Sequence, residues 1–298
     1  MSFFPTLTDN DLDRLCDYSH LFVHLQVDFS SMIPSNYTVH GIARFLASCT
    51  RLVTLHVVGG RDETFFQVTQ ACRSCPLTSL RLRQCKVGLL PSTSDALSFL
   101  GLTSLDVTDC AFPPSFYAAF GRLINLESLF VHNCVGVGDG CVAGLVEGGV
   151  KLKGLSISSK WETTGAGYRA IIGAPISQSL EWLLVRKGSP QTDSDIAHVV
   201  ASCPRLQELD AFDFTDEDIA TICEGRPVQQ LALVGFHRSP EVTSAGVTQL
   251  AETYTATLKC IQLFGCGWSA EQFESLRSDF RWRFPRILLR VEGSSLLA

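Results

Sequence analysis

The residues with the clearest chemical potential are the cysteines, of which the chain has 12. Cys72 and Cys75 form a C-x-x-C pair, the spacing of a zinc half-site or of a redox dithiol. The sequence has no second C-x-x-C to complete a four-cysteine zinc site. The alternative interpretation is that this pair ends a helix, with one thiol in the core and the other near a loop. We favour the second interpretation and predict no metal.

Two other patterns are weaker still as signs of catalysis. The glycine-rich stretch GVGDGCVAG at 136–144 lacks the Lys-Ser/Thr ending of a phosphate-binding loop, and we interpret it as a tight turn. The 7 histidines include no H-E-x-x-H, and no G-x-S-x-G surrounds a serine. The sequence therefore nominates no catalytic residue and no cofactor, and we predict a protein that is not an enzyme.

Composition narrows the class of protein further. Of the 298 residues, 46% are hydrophobic and 18% charged, which permits a large core. The net charge of -6 and the absence of a basic footprint make nucleic acid an unlikely partner and disfavour a polybasic membrane contact. No apolar run approaches the ~20 residues of a membrane span, and the acidic start has no secretory signal pattern. We therefore expect an intracellular protein, by default cytoplasmic, with reduced cysteines.

The elements that would position any site come from a repeated phrase, L-x-x-L-x-aliphatic. It recurs ten times in phase, at a mean spacing of about 26 residues, which is typical of a solenoid. The copies start at Phe22, Leu52, Leu77, Leu102, Leu126, Leu152, Leu180, Leu206, Val228 and Leu258. Alternation within each copy predicts a short strand, and the stretch after it has helical spacing. Stacked units would form one parallel sheet with helices outside.

A second phrase, Thr-Asp followed by spaced aliphatic residues, belongs to the outer half of the repeat. Thr8, Thr192 and Thr215 are predicted N-caps, whose hydroxyls accept hydrogen bonds from the first helical turn. The aspartate after each threonine suits the positive end of the helix dipole. The first of these phrases, at 7–15, predicts an N-terminal cap.

These residues resemble the leucine-rich repeat family and, within it, the cysteine-containing subfamily found in F-box proteins. In that subfamily a cysteine follows the strand, as Cys85, Cys110, Cys134 and Cys266 do here. Cys49 and Cys203 match the cysteine that precedes the first leucine of the unit. The resemblance implies buried thiols stacked along the array and a protein-binding role. An F-box would precede the repeats, and the first phrase at Phe22 leaves no room for one.

The predicted fold class is therefore α/β, a leucine-rich-repeat solenoid or horseshoe with a parallel inner sheet and outer helices. About ten repeats stand between an N-terminal and a C-terminal cap. We predict one domain over 1–298, with a cap at 1–21, repeats at 22–268, and a capping helix and strand at 269–298. The final strand would close the sheet edge.

Function is expected on the concave face, at the third, fifth and seventh positions of each phrase. In the C-terminal half these positions carry large apolar side chains with charged neighbours, which is typical of a protein-binding hot spot. The predicted partner-binding residues are Phe130, Trp182, Leu184, Arg186, Asp210, Phe212, Val234 and Phe264. The alternative is that the loop KGSPQTDSD at 187–195 or the C-terminal segment covers this patch.

A second surface lies nearer the N-terminus. His56, Arg81 and Arg83 could contact an acidic peptide, although pairing with carboxylates on adjacent strands, such as Asp106, is the preferred interpretation. The leading hypothesis for the whole chain is a non-enzymatic scaffold, adaptor or subunit of a larger complex that binds a protein or peptide partner. The alternative is the substrate-recognition component of a ubiquitin ligase that lacks its own F-box.

Overall fold

The computed structural model describes residues 8–29, 38–86, 101–158, 163–186, 194–225 and 228–292. The chain divides into two compact units, Met1–Lys151 (unit 1) and Leu152–Ala298 (unit 2). Our assignment of one domain with boundaries at 21/22 and 268/269 remains a prediction. Among the described helices, none has the length and apolar character needed to cross a membrane.

Unit 1 is a parallel sheet whose strands pair in chain order, each with the next. Its described strands are β1 His24–Asp28, β2 Thr54–Val58, β3 Ser79–Arg83, β4 Ser104–Thr108 and β5 Ser128–His132. Its described α-helices are α1 Asp9–Cys16, α2 Val39–Ser48, α3 Asp62–Ala71, α4 Pro114–Ala118 and α5 Asp139–Glu147. Short 3₁₀ helices are Ser19–Leu21, Cys72–Ser74 and Ala119–Arg122.

Unit 2 is also a parallel sheet whose strands pair in chain order, each with the next. Its described strands are β6 Gly154–Ser158, β7 Trp182–Arg186, β8 Glu208–Phe212, β9 Leu233–His237, β10 Cys260–Phe264 and β11 Leu288–Glu292. Its described α-helices are α6 Gly165–Arg169, α7 Pro175–Ser179, α8 Ser194–Ala201, α9 Asp216–Gly225, α10 Ser244–Thr253 and α11 Ala270–Arg283. The predicted C-terminal helix and closing strand are α11 and β11.

Along each strand, side chains point alternately into the core and to the opposite side of the sheet, which we call the open face. In β4, Leu105 and Val107 are fully buried, whereas Ser104, Asp106 and Thr108 between them are half-buried. This is the period-two pattern that the repeat phrase predicts. The aliphatic residues of the helices pack into the same cores, as Ile219 and Ile222 of α9 do in unit 2.

The ninth copy of the phrase departs from the predicted register. We placed its start at Val228, which puts Val234 on the open face, and this was wrong. Val234 pairs with Leu209 of β8 and is 0% exposed, so it belongs to the core. The copy starts at Leu231, three residues later. The two starts were confused because Val228 and Leu231 have the same spacing as Leu231 and Val234. His237 therefore lies on the open face.

Seven of the described strands, β2–β5 and β8–β10, leave the sheet through a left-handed residue followed by a buried one. Five of these left-handed residues are not glycine, and their φ angles lie between 50° and 60°: Gln84, Asp109, Asn133, Asp213 and Arg238. The buried residue after the turn is a cysteine in four repeats, and its Sγ lies 3.3–3.8 Å from a carbonyl oxygen of the preceding strand. These four are the predicted ladder residues Cys85, Cys110, Cys134 and Cys266. Each of these thiols therefore links the end of its own strand to the strand before it.

The Thr-Asp phrase links neighbouring repeats. Thr8 caps α1, and its hydroxyl accepts a hydrogen bond from the Asp11 amide, as predicted. Asp9, the next residue, accepts hydrogen bonds from Thr38, the N-cap of α2, at 2.7 Å from the amide and 2.8 Å from the hydroxyl. These bonds hold the pKa of Asp9 below its usual value. The phrase therefore completes the cap of the following helix.

The same arrangement recurs in unit 2. Thr215 caps α9, accepting a hydrogen bond from the Asp218 amide at 3.3 Å, and Asp216 accepts one from the Thr243 amide at 2.8 Å. Thr243 in turn caps α10. The third predicted cap, Thr192, lies outside the described residues. The aspartates therefore do more than complement a helix dipole, because they fix the distance between successive helices.

Candidate functional site

The open face of unit 2 consists of three rows that run across the strands. Each row contains residues that the parallel register places side by side. From β7 to β11, the first row is Trp182, Glu208, Leu233, Cys260 and Leu288. The second is Leu184, Asp210, Gly235, Gln262 and Arg290. The third contains Arg186, Phe212, His237 and Phe264.

The third row is a stack of rings, which we call the aromatic ladder. The ring of His237 lies between those of Phe212 and Phe264, with centroid distances of 4.5 and 4.6 Å and interplanar angles of 16° and 12°. The guanidinium of Arg186 lies 5.8 Å from the centroid of Phe212 and extends the ladder by one step. Because the ring faces cover one another, the ladder presents ring edges, which carry partial positive charge.

The second row fixes the middle of the ladder. An Asp210 Oδ1 lies 3.1 Å from His237 Nε2, across the strand boundary. This contact crosses Gly235, where a Cβ would lie 2.3 Å from Asp210 Oδ1, so a side chain here would displace the Asp210 carboxylate from the contact. Arg186 is also held from the side, with its Nε 3.6 Å from Asp213 Oδ2. These contacts orient His237 and Arg186 within the aromatic ladder.

The first row is more apolar. Trp182 and Leu233 are half-buried, and Leu288 at the end of the row is 49% exposed. Glu208 between them is exposed. The site thus combines an aromatic ladder on one side with a Trp–Leu row on the other.

The structure brings together six of the predicted partner-binding residues on this face: Trp182, Leu184, Arg186, Asp210, Phe212 and Phe264. Val234 does not belong to the face, because it is buried. Phe130 lies in unit 1 on β5, where its ring is 6.4 Å from that of His132. Most of the predicted covering loop, 187–193, lies outside the described residues. Sequence reasoning missed Leu233 and His237, since both depend on the register of the ninth copy.

The second predicted surface, in unit 1, is dominated by pairing between its own residues. Arg81 Nε lies 2.9 Å from Asp106 Oδ2, and Arg83 Nε lies 4.0 Å from Asp109 Oδ2. This is the cross-strand pairing that we preferred. Contact of His56, Arg81 and Arg83 with an acidic peptide stays a prediction, and such a peptide would compete with these carboxylates.

The surroundings of His56 predict that unit 1 is sensitive to acid. Its Nε2 is buried and has no hydrogen-bond partner in the described part of the chain. Burial lowers the pKa of His56, and the Arg81 guanidinium lowers it further. The unfolded chain therefore binds a proton more readily than the folded one, so stability is retained above the ordinary histidine pKa and lost as pH falls from about 6.5 towards the lower folded value.

We expect the free energy of unfolding from urea titrations to fall between pH 7.5 and pH 5.5. In His56→Gln the fall is expected to be smaller, because one histidine with a depressed pKa has been removed. Burial also lowers the pKa of His132, so part of the acid sensitivity remains. An unchanged pH dependence in His56→Gln would contradict this account.

Burial suppresses the reactivity of several of the cysteines. Cys72 is fully buried and Cys75 half-buried at the end of α3, which is the structural arrangement that we favoured for this pair. Burial raises the pKa of Cys49, Cys141 and Cys203 to about 12 each, so these thiols remain protonated at neutral pH. Within the described residues no cluster of three or more His, Cys, Asp or Glu is arranged to hold a metal ion.

The repeat of strand, left-handed exit and outer helix defines the fold as an α/β leucine-rich-repeat solenoid. No protein-family model matches the chain. Among solved structures it is similar to the Rad7 and Elc1 complex of yeast, at 14% identity and a TM-score of 0.62, over 99% of this chain and 77% of that one. It is also similar to the leucine-rich repeat-containing protein LegL7 from Legionella pneumophila, at 14% identity and a TM-score of 0.50, over 98% and 90% of the two chains.

Proposed function

We propose that this protein is a non-enzymatic scaffold or adaptor that binds a protein or peptide partner on the open face of unit 2. The observation that carries the proposal is the three-row surface. A Trp–Leu row lies on the same face as an aromatic ladder whose His237 and Arg186 are held by contacts with Asp210 and Asp213. Aromatic and arginine side chains in such positions supply most of the energy of known protein interfaces.

The geometry also suggests what the partner presents. Ring edges and the Arg186 guanidinium are both positive, so they match carbonyl oxygens, carboxylates or the face of an aromatic ring. Trp182 and Leu184 match aliphatic side chains. A segment that runs along β7, from Trp182 to Arg186, would meet both features. Because the ladder is pre-stacked, binding costs little side-chain entropy on this side of the interface.

The test is affinity purification of the wild type beside a Trp182→Ala/Phe212→Ala double variant, read by mass spectrometry. The control is Ile124→Ala, an apolar truncation at a position that is 65% exposed and outside the strands. We expect a partner that is captured by the wild type and the control but lost from the double variant. Each single truncation is expected to weaken that partner's binding by about 2 kcal/mol or more. Equal capture and affinity in a folded double variant would refute the proposal.

We further propose that the repeats belong to the cysteine-containing kind. The support is the common role of Cys85, Cys110, Cys134 and Cys266, whose thiols lie against the preceding strand, and of Cys49 and Cys203. The last two have Sγ 3.2 Å from the carbonyl oxygen four residues earlier. This kind of repeat keeps the second candidate function open, the substrate-recognition component of a ubiquitin ligase without its own F-box. Ubiquitin machinery in the same purification would favour it, and a clean preparation without such proteins would count against it.

A further inference from the structure

Cys72 and Cys75 stand at the two ends of one tight turn. The 3₁₀ helix Cys72–Ser74 ends at Cys75, whose amide donates to the Cys72 carbonyl at 3.0 Å. In a 3₁₀ turn, residues three apart lie one above the other, about 6 Å apart along the axis. Disulfides form between Cα atoms about 4.4–6.8 Å apart. The turn that follows α3 therefore holds the two cysteines at a separation that a disulfide can bridge.

The two thiols also meet each other. Residues three apart in such a turn point to the same side, and the Cys72 thiol donates a hydrogen bond to Cys75. Cys75 Sγ lies in addition 3.5 Å from the carbonyl oxygen of Leu46, in the last turn of α2. The side chain of Cys75 is thus held from two directions, and its sulfur is already a neighbour of the Cys72 sulfur in the folded chain.

The two thiols differ in their access to solvent and in their pKa. Cys72 is 0% exposed, whereas Cys75 is half-buried. The hydrogen bond from the Cys72 thiol lowers the pKa of Cys75, and the same bond together with burial raises the pKa of Cys72. An accessible thiol that ionises readily, beside a second thiol that can attack it, is the arrangement found at oxidation-sensitive cysteines.

We propose that hydrogen peroxide converts Cys72 and Cys75 into a reversible disulfide. The Cys75 thiolate attacks the peroxide first. An S–O bond forms as the O–O bond breaks, which leaves a sulfenic acid, and the departing hydroxide takes up the proton that the thiol has lost. The Cys72 sulfur then attacks the Cys75 sulfur, so that an S–S bond forms, the S–O bond breaks and a second water leaves with the Cys72 proton. The two thiols lose two electrons, and the peroxide is reduced to two molecules of water.

Other thiols of unit 1 provide a contrast. Cys85, Cys110 and Cys134 also lie close together, and the Cys85 amide lies 3.3 Å from Cys110 Sγ. These three residues are 0%, 1% and 3% exposed, so peroxide reaches their thiols only when the chain opens. The turn after α3 is therefore the pair that the folded protein offers to an oxidant. It does not belong to the open face of unit 2, so the inference is independent of the scaffold function.

Arg73 separates the two cysteines in the sequence and allows a direct test. Trypsin cleaves after Arg73 and leaves Cys72 in peptide 62–73 and Cys75 in peptide 74–81, each with a single cysteine. The folded wild type is treated with hydrogen peroxide, alkylated in denaturant, and digested without reductant for mass spectrometry. We expect peptides 62–73 and 74–81 to be joined by a disulfide and to separate after dithiothreitol. The cysteines at 85, 110 and 134 are expected to be alkylated, as in untreated protein.

Two variants test the order of the steps. In Cys72→Ser the sulfenic acid has no thiol to attack it, so labelling of Cys75 by dimedone is expected to rise about tenfold. In Cys75→Ser the buried Cys72 is expected to stay reduced. The control is Cys16→Ser, which removes another half-buried thiol and is expected to form the disulfide as the wild type does. Far-UV circular dichroism confirms that each variant is folded.

The wild-type digest can contradict the proposal without any variant. Peptides 62–73 and 74–81 that stay separate after peroxide treatment overturn it. A bond between peptide 74–81 and peptide 45–51, which carries Cys49, overturns it as well. Oxidation of Cys72 in a folded Cys75→Ser variant would show that the proposed order of attack is wrong.

Discussion

Replacing Gly144 with alanine is expected to lower the free energy of unfolding by about 3 kcal/mol. Gly144 lies on α5, where a Cβ would be 2.2 Å from the carbonyl oxygen of Ala118 and 2.9 Å from its carbonyl carbon. The obstructing atoms belong to the backbone, so no change of rotamer can relieve the clash. The helix would have to shift away from the preceding one, and the core between them would loosen.

Gly140→Ala supplies the matched control on the same helix. A Cβ at Gly140 would meet nothing within 4 Å. Alanine has the higher helix propensity, so this variant is expected to be more stable by about 0.5 kcal/mol. Urea unfolding of both variants beside the wild type makes the comparison. If Gly144→Ala were as stable as Gly140→Ala, the close approach of α5 to Ala118 would be wrong.

Truncating Phe116 to alanine is expected to cost about 4 kcal/mol of unfolding free energy. Phe116 of α4 is 0% exposed and stacks on Phe112 at a centroid distance of 4.1 Å. Its ring also meets those of Phe65 at 5.8 Å and Phe120 at 5.5 Å, both edge-on. Alanine would leave a cavity among rings that cannot collapse into it without losing their own contacts.

Phe116→Leu separates volume from aromatic geometry. Leucine fills most of the space, so the expected loss is smaller, about 1–1.5 kcal/mol, and reflects mainly the ring contacts. Equilibrium urea unfolding at neutral pH measures both variants. A loss below about 1 kcal/mol for Phe116→Ala would show that this aromatic cluster is not close-packed.

Much of the fold could be predicted because the repeat phrase itself indicates where each strand lies and which of its residues are buried. The alternation in LTSLDVTDC at 102–110 locates β4, its buried residues and the cysteine after it. Ten such copies, aligned on one another, predict the strands even where a single copy is weak. The caps at Thr8 and Thr215 were predictable for the same reason, since a threonine before a helical pattern has few other roles.

The candidate site was harder because it depends on register, which a single residue can change. Val228 and Leu231 satisfy the same spacing as Leu231 and Val234, so the sequence alone does not distinguish the two starts. The wrong start assigned Val234 to the open face and assigned His237 to the turn after the strand. With His237 missing, the sequence placed Phe212 and Phe264 in one apolar patch but did not predict that they are the two sides of one stack.

The aspartates after the helix caps show a different limit. A local pattern predicts that Asp9 and Asp216 suit a helix dipole, and their partners 29 and 27 residues further along cannot be read locally. These partners, Thr38 and Thr243, become visible only when the spacing between repeats is known in three dimensions.

This pairing has a consequence for how the array comes apart. Where the pairing occurs, the helix start of one repeat is completed by a carboxylate of the repeat before it. Loss of the earlier repeat would thus leave the later helix with an incomplete cap, while loss of the later one leaves the cap of the earlier helix intact. Repeat arrays are otherwise coupled through symmetric neighbour contacts. In this array the aspartate bridges make the cooperativity directional. Within each pair of bridged repeats, the C-terminal repeat depends on the N-terminal one for its helix cap.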